Sequence, residues 1–271
     1  MTNIGFIGTG MMAEAIISGM LKGGFSADDI RGADPEAARR ERMSSVYGIQ
    51  VTEDNQALVS WSDTIVLAVK PQYFQAAVRV IRPVLNARHR IISIMAGVTT
   101  AQIEHDLRCF ADDQMTVLPV IRVMPNNPAM VGAGITCMCG GSMACLEDHE
   151  FARGIFETVG EVADVNEALM DAATGVAGCG PAYVYMFIEA MADGGVMMGL
   201  SRQLAVRLAA EAVEGAARMV LEGRGHPGEL KDMVCSPGGA TIAGVRSLEK
   251  AGLRGAVMEA VIEGAEKCKK L

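Results

Sequence analysis

Long apolar runs are absent from this chain of 271 residues. A membrane-spanning helix needs about 18 consecutive apolar residues; no stretch comes near that length, so we expect no membrane partner. The first six residues carry neither the basic cluster nor the apolar segment of a secretory leader, and we predict a strand there instead. The net charge is −8, which argues against a nucleic-acid partner.

The cysteines lack the spacing of a metal site. Seven are present, and the densest group is Cys137, Cys139 and Cys145. Its spacing matches none of the usual zinc patterns, and only His149 lies nearby, so no metal is expected. Without a secretory leader we expect reduced thiols and a cytoplasmic location.

Apolar residues make up 50% of the chain, which is enough for a sizeable core. The length allows one large or two modest domains. Strand-like runs occur before about residue 165, and helical patterns follow it. We therefore predict an α/β protein: a Rossmann-type, doubly wound, dinucleotide-binding domain in residues 1–164, then an all-α dimerisation and substrate-binding domain in residues 165–271.

The first predicted strand leads into a glycine turn. Residues 4–7 are apolar, Gly8-Thr9-Gly10-Met11-Met12-Ala13 follows, and apolar residues then recur at helical spacing. This order matches the dinucleotide fingerprint G-x-G-x-x-A. In it, Gly8 makes the tight turn, Gly10 lets the backbone approach a pyrophosphate, and Ala13 permits close packing of helix on strand.

Two later strands are predicted to end in turns at the carboxyl edge of the sheet, where cofactors bind in open α/β folds. One turn is Val69-Lys70-Pro71 and the other is Ala96-Gly97. The strands predicted from apolar, β-branched runs are 29–34, 64–69, 90–95, 117–124 and 134–139.

The choice of nicotinamide cofactor stays open on these residues. Asp34 falls near the end of the second strand, where an acid usually bonds the ribose 2′-hydroxyl of NAD; its side chain can also point into solvent. Arg39 and Arg40 follow and could hold a 2′-phosphate. The alternative, which we prefer, is that both arginines belong to a solvated helix face.

The C-terminal half is predicted to be helical. Pro181 and Pro227 suit first helical turns, and Ser201 suits an N-cap. The helix 201–221 is broadly apolar, which indicates burial in a homodimer with interleaved helices. The predicted helices are 167–176, 181–198, 201–221, 227–235, 241–250 and 253–269.

The segment 230–241 contains the turn between two of these helices, and that turn has the composition of an anion site. Gly238 and Gly239 let a ligand approach the backbone, and unpaired N–H groups at the following helix start favour an anion. Thr241 adds a hydroxyl. We interpret the turn as a small-carboxylate site with one hydroxyl at the reacting atom; an ordinary link with a capping threonine is the alternative.

Gly175, Gly178 and Gly180 resemble the G-x-x-G-x-G segment of β-hydroxyacid dehydrogenases. Those enzymes carry a lysine four residues after the third glycine, where this chain has Val184. The proton-handling lysine of an alcohol-oxidising enzyme is therefore absent. Close helix packing is the other role expected of these glycines.

Nearly the whole chain resembles the pyrroline-5-carboxylate reductases. The resemblance implies NAD(P)H-dependent reduction of L-Δ1-pyrroline-5-carboxylate to L-proline, the last step of proline biosynthesis. It also implies active sites shared between two subunits, assemblies of dimers, and NADPH as the usual cofactor with NADH possible. The segments that carry it are 5–12, 68–71, 122–129, 178–183 and 236–242, the last being the most specific.

By position, the resemblance assigns cofactor contacts to Gly8, Thr9, Gly10, Met11, Met12, Asn55, Ala68, Val69, Lys70, Pro71, Ala96 and Gly97. Asp34 joins them from its place at the strand end. The expected substrate contacts are Glu167, Val234, Ser236, Gly238, Gly239, Ala240 and Thr241. Asn127, Met233 and Ala33 depart from residues common in the family, which bears on cofactor preference rather than on reaction type.

None of the histidines, at 89, 105, 149 and 226, falls in a site motif. Reduction of a ketone needs a proton donor, whereas a protonated cyclic imine accepts hydride at carbon directly. The residues therefore favour an imine, with Thr241 as the catalytic residue bonding the ring nitrogen. The alternatives are reduction of another small imino or β-hydroxy acid, and a dinucleotide-binding protein without turnover.

Overall fold

The computed structural model describes residues 2–111 and 114–270. These residues form two compact units, each defined by the contacts within it. The first unit is Met1–Gly178 with Glu263–Leu271, and the second unit is Cys179–Ile262. Residues 165–178 thus pack with the first unit, while the predicted functional division after residue 164 stays a prediction.

The first unit contains an eight-stranded sheet in the order β10-β9-β8-β5-β4-β1-β2-β3. Neighbouring strands are parallel except β8 and β9, where Arg122 lies opposite Cys139 in an antiparallel pair. Two further strands, β6 and β7, form a separate antiparallel hairpin. The strands are β1 Ile4–Ile7, β2 Ile30–Ala33, β3 Gln50–Thr52, β4 Thr64–Leu67, β5 Arg90–Ser93, β6 Cys109–Ala111, β7 Gln114–Thr116, β8 Val120–Met124, β9 Gly134–Gly140 and β10 Gly160–Asp164.

Helices cover both faces of this sheet. Neighbouring residues of β4 show the arrangement, since Val66 packs in one core cluster and Leu67 in the other. The first cluster includes side chains of α1, α2 and α6, and the second includes side chains of α3, α4 and α5. The predicted doubly wound fold is confirmed. The helices are α1 Met11–Lys22, α2 Ala37–Tyr47, α3 Asn55–Trp61, α4 Phe74–Ile81, α5 Thr100–Asp106 and α6 Leu146–Phe156.

The segment predicted as one helix over residues 167–176 is irregular instead. A 3₁₀ turn, Glu167–Leu169, leads into the short helix α7, Met170–Ala173, and then into a π-helical turn, Thr174–Gly178. The Thr174 hydroxyl donates to the Met170 carbonyl at 2.8 Å. Such a bond and the glycines that follow disturb a regular α-helical ladder, so the single-helix prediction is wrong.

The second unit is helical, as predicted. Pro181 lies in the first turn of α8, Pro227 begins α10, and Ser201 caps α9 by accepting from the Leu204 N–H. The Tyr183 hydroxyl donates to the Ala260 carbonyl at 2.9 Å and ties α8 to α12. These helices are α8 Gly180–Met197, α9 Arg202–Leu221, α10 Pro227–Met233, α11 Ala240–Lys250 and α12 Leu253–Cys268, whose last residues belong to the first unit.

The described residues contain neither a membrane-spanning helix nor a cluster of metal ligands. Between residues 2 and 270, leaving out 112 and 113, no helix has the length and apolar character needed to cross a bilayer. In the same ranges, no three or more His, Cys, Asp or Glu side chains come together as a group that could hold a metal ion.

Candidate active site

The predicted cofactor residues follow the carboxyl ends of five parallel strands. The glycine turn follows β1, Asp34 follows β2, and Asn55 begins α3 after β3. Residues 68–71 follow β4, and residues 96–97 follow β5. Because parallel strands end at the same edge, the fold brings these residues to one side of the sheet.

The two glycines of the fingerprint have different surroundings. Gly8 has a φ of +91°, and a Cβ there would lie 2.8 Å from the Ala68 carbonyl oxygen. Gly10 is the N-cap of α1, no side chain caps that helix, and the space where a Cβ would point is open to 4 Å. Uncapped N–H groups beside open space are suited to a pyrophosphate, so the turn fits a dinucleotide.

Asp34 points at the glycine turn rather than into solvent. One of its carboxylate oxygens accepts from the Thr9 N–H at 2.8 Å and from the Thr9 hydroxyl at 3.0 Å. The other accepts from the Glu36 N–H at 2.9 Å. Thr9 itself is fully buried. The carboxylate is therefore held at the sheet edge by its own chain.

Arg39 and Arg40 do not form a solvated helix face, and that preferred interpretation is wrong. Arg39 Nε donates to the Thr9 carbonyl at 2.9 Å, and its Nη1 lies 3.1 Å from a Glu14 oxygen. Arg40 Nη1 donates to the Asp34 carbonyl at 2.9 Å. Both side chains are largely buried. They brace the turn between β2 and α2.

The other residues at this edge are partly accessible. Asn55, in the first turn of α3, is half-buried, as are Ala68, Val69, Pro71, Ala96 and Gly97. Lys70 and Met11 are exposed. Gly97 has a φ of +74°, a backbone conformation that favours glycine. The edge thus offers both apolar and charged surface to a ligand.

Glu167 is bonded within the first unit. Its Oε1 accepts from the Thr100 N–H at 2.7 Å and from Arg122 Nη1 at 3.2 Å, and its Oε2 accepts from the Thr100 hydroxyl. Arg122 Nη2 also lies 3.4 Å from Asp171. Glu167 therefore fixes the start of α5, which follows Ala96 and Gly97 in the chain. Its role as a substrate contact stays a prediction.

Sequence reasoning did not predict the contacts of Thr100 and Arg122 with Glu167. The available signal was Arg122, a charged residue inside an apolar strand run, since a buried charge needs partners. Cys139 lies opposite Arg122 in the sheet. Burial of this thiol and the Glu167 carboxylate raise its pKa to about 11, and Arg122 opposes the shift. Cys139 is therefore a protonated thiol at neutral pH.

In the second unit, the turn before α11 has the geometry of an anion site. Gly238 has a φ of +70°. Gly239 is the N-cap of α11, and a Cβ there would lie 2.4 Å from the Ser236 hydroxyl oxygen. No side chain caps this helix of 11 residues, so its first N–H groups have neither an intrahelical partner nor a capping side chain. Thr241 lies in that first turn and is exposed.

The residues before this turn line a mostly apolar cavity of about 380 Å³ beside α9. Val234 and Met233 belong to it, and both are exposed in the protomer. Val234 therefore lies beside the turn in sequence and offers apolar surface, whereas Ser236 to Thr241 offer polar groups.

Comparison with known proteins identifies relatives over the full length. A reductase from Synechocystis, named pyrroline-5-carboxylate reductase, is 43% identical over 261 residues, which cover 95% of this chain and 94% of the relative. One of the same name from Escherichia coli is 41% identical over 269 residues, covering 99% and 97%. This chain belongs to the pyrroline-5-carboxylate reductase family.

Family models and a solved structure agree with this assignment. Residues 167–271 match the model described as pyrroline-5-carboxylate reductase dimerisation, and residues 3–97 match the one described as NADP oxidoreductase, coenzyme F420-dependent. The Plasmodium falciparum pyrroline carboxylate reductase with NADP bound has a TM-score of 0.88 at 32% identity, covering 99% of this chain and 97% of that one. The pyrroline-5-carboxylate reductase fold thus extends over both units.

Proposed function

We propose that this protein reduces L-Δ1-pyrroline-5-carboxylate to L-proline, as the last step of proline biosynthesis. The hydride comes from a nicotinamide cofactor, NADPH or NADH. The proposal is carried by the start of α11, which follows Ser236 to Gly239 and has no capping side chain. The chain that contains it belongs to the pyrroline-5-carboxylate reductase family. NADPH is supported by the family model for residues 3–97 and by the NADP of the Plasmodium relative.

The turn before α11 supplies what the substrate's carboxylate needs. N–H groups at a helix start carry partial positive charge and donate to an anion. Gly238 and Gly239 keep side chains away from that backbone. We assign Ser236, Gly239 and Ala240 to the carboxylate, with Val234 against the apolar part of the ring.

The chemistry of an imine suits the absence of a strong acid from this turn. A protonated C=N bond already carries positive charge, so hydride adds to its carbon and the nitrogen becomes a neutral amine without a donor in that step. Two of the histidines have other places: His89 is buried and bonded to the Val59 carbonyl, and His226 caps α10. Burial also lowers the pKa of His89.

Thr241 is the residue we assign to the ring nitrogen. Its hydroxyl lies in the first turn of α11, beside the same N–H groups that would hold the carboxylate. The hydroxyl can accept from a protonated imine and donate to the amine product. Orientation of the ring toward the nicotinamide is then the main catalytic contribution of the protein.

The second unit supports self-association through its exposed apolar helices, which fall in the part matching the dimerisation family model. We propose a homodimer, or an assembly of dimers, with active sites shared between subunits. We further propose a cytoplasmic location, where the thiols stay reduced.

Proline formation from pyrroline-5-carboxylate, measured with each cofactor in parallel, tests the function. Thr241→Ala is expected to lower kcat/KM about 10- to 100-fold, because a hydrogen bond to a charged group is lost. Cofactor affinity should not change. Thr241→Ser, which retains the hydroxyl, is the matched control and should retain most of the activity. Unchanged kinetics in Thr241→Ala would remove this residue from the mechanism.

A further inference from the structure

The end of β2 carries two kinds of residue with opposite consequences for the cofactor. In open α/β sheets an acid here bonds the ribose 2′-hydroxyl of NAD, whereas an arginine nearby accommodates the 2′-phosphate of NADP. This chain has Asp34, Arg39 and Arg40. The presence of these residues does not decide between NAD and NADP. Their side-chain contacts must therefore decide the cofactor preference.

The Asp34 carboxylate is fixed at the sheet edge by neutral donors. Two of them are the N–H and hydroxyl of Thr9, at 2.8 and 3.0 Å, and the third is the Glu36 N–H at 2.9 Å. Thr9 cannot readily turn away, because it is fully buried. The negative charge stays where the ribose would lie.

The two arginines that could balance a phosphate are already engaged. Arg39 bonds the Thr9 carbonyl and pairs with Glu14. Arg40 donates to the carbonyls of Asp34 and Pro35, at 2.9 and 2.8 Å. Both would have to give up these bonds to reach a phosphate, and each lost bond has a free-energy cost.

The local charge balance also opposes a phosphate. The acidic side chains at this junction outnumber the basic ones by one, whereas a 2′-phosphate adds about −1.5 to −2 at neutral pH. The acidic residues are Glu14, Asp34, Glu36 and Glu53, and the basic residues are Arg39, Arg40 and Arg42.

We infer that Asp34 selects NADH over NADPH in this protein. The inference rests on the proposed function in one respect, that a nicotinamide dinucleotide binds at the fingerprint. The carboxylate accepts from the 2′-hydroxyl at its one remaining lone-pair site, on Oδ1, and repels a 2′-phosphate at the same place. The NADP of the Plasmodium relative does not oppose this, because the inference concerns the side chains at the end of β2 in this chain.

Equilibrium titration of the full-length protein with NADH and with NADPH, followed by fluorescence, is the first test. We expect the Kd of NADH to be at least about tenfold lower, since like charges in contact are strongly unfavourable. An equal or lower Kd for NADPH would overturn the inference.

Ionic strength tests the cause of the preference. Both cofactors share the pyrophosphate, so the ratio of the two Kd values isolates the 2′-phosphate. Salt screens exposed charges, and repulsion by Asp34 therefore predicts that the NADPH/NADH ratio of Kd values falls as salt is added. A ratio that rises with salt would mean that Arg39 or Arg40 holds the phosphate and would overturn the inference.

Substitution of the carboxylate is the third arm. Asp34→Asn keeps the shape without the charge, and it should lower the NADPH/NADH ratio of Kd values by about tenfold or more. Asp34→Ser provides a second variant if the first unfolds. Glu41→Gln removes the same charge from an exposed position on α2 and should leave the ratio unchanged. A ratio unaffected in both Asp34 variants would contradict the inference.

Failure of the proposed function would look different. Binding needs no pyrroline substrate, so the Kd ratio is measured whether or not proline forms. Tighter NADH binding without proline formation from either cofactor would leave the role of Asp34 intact and refute the reductase activity. Proline formation together with tighter NADPH binding would support the reductase activity and refute the role of Asp34.

Discussion

At the level of single residues, the two glycines of the fingerprint tolerate substitution differently. Gly8 has a positive φ, and its Cβ position lies against the backbone of Ala68. Gly10 has an ordinary φ of −65° and open space around its Cβ position. Gly8 is therefore required by the fold of the turn itself. At Gly10 a side chain would obstruct only a ligand that binds to the turn.

Gly10→Val is expected to fold normally and to lose cofactor binding. The valine has room in the free protein but occupies the place of the pyrophosphate. The measurement is a thermal melt followed by circular dichroism, together with a fluorescence titration with NADH. Normal binding by a folded Gly10→Val variant would show that the turn does not receive the cofactor.

Gly8→Val is the contrasting variant. It should destabilise the fold by about 2–5 kcal/mol, because a left-handed backbone is strained in a β-branched residue and the side chain meets Ala68. A Gly8→Val protein as stable as the wild type would contradict this account of the turn.

The sequence predicted those residues whose role depends on neighbours a few positions away in the chain. The glycine turn, the Ser201 N-cap and the prolines of α8 and α10 follow from local rules. The pairing of Arg122 with Glu167 joins residues 45 positions apart, and no local pattern encodes such a pair. The bonds of Arg39 were missed for the same reason, since its partners Thr9 and Glu14 lie 30 and 25 positions earlier in the chain.

At the level of secondary-structure elements, Glu14 of α1 holds α2 in place through three side-chain contacts. Arg42 Nη2 lies 2.7 Å from its carboxylate, the Tyr47 hydroxyl donates to it at 2.9 Å, and Arg39 lies at 3.1 Å. The bond from Arg42 is the main cause that lowers the pKa of Glu14; burial opposes it and Tyr47 assists. The ionised carboxylate therefore stabilises the contact between the two helices.

The pH dependence of stability should reveal this contact. A carboxyl group with a lowered pKa in the folded state stabilises the fold above its unfolded pKa of about 4.3, and this stabilisation is lost as pH falls through the folded pKa. Glu14→Gln should cost about 1–2 kcal/mol at pH 7. Denaturant melts should show the difference from wild type shrinking toward pH 3. A constant difference at both pH values would contradict the role of the charge.

The predicted strands and the overlooked ones differ in position within the sheet. The six inner strands, from β9 to β2 in the sheet order, all correspond to predicted apolar runs. The strands β3 and β10 form the two edges, and none of their residues is fully buried. An edge strand needs no continuous apolar run, so its sequence carries little signal.

For the whole molecule, the apolar surface of the second unit determines association. Many large apolar side chains of the second unit are exposed in the protomer. On α8 they include Tyr185, Met186 and Phe187. Apolar surface of this extent marks an interaction site. Because residues 167–271 match the dimerisation family model, a second copy of the chain is the partner we propose for this surface.

Met186→Asp should weaken this association while leaving the protomer folded. The side chain is 70% exposed in the protomer, so a carboxylate is solvated there, but burial of an unpaired charge between subunits is costly. Sedimentation velocity should show a loss of dimer by at least about tenfold in Kd. The control is Val46→Asp on α2, at 57% exposure in the first unit. An unchanged dimer in Met186→Asp would exclude this face.

The first unit is assembled from two separate stretches of chain, and this has a consequence for biosynthesis. Glu263–Leu271 join Met1–Gly178 only after all of the intervening helices have been made, and Cys268 is buried there. Domains usually fold in the order in which the ribosome releases them. Here residues 263–270 reach the first unit late, so a truncation that removes them would uncover the surface of that unit beside which Cys268 is buried.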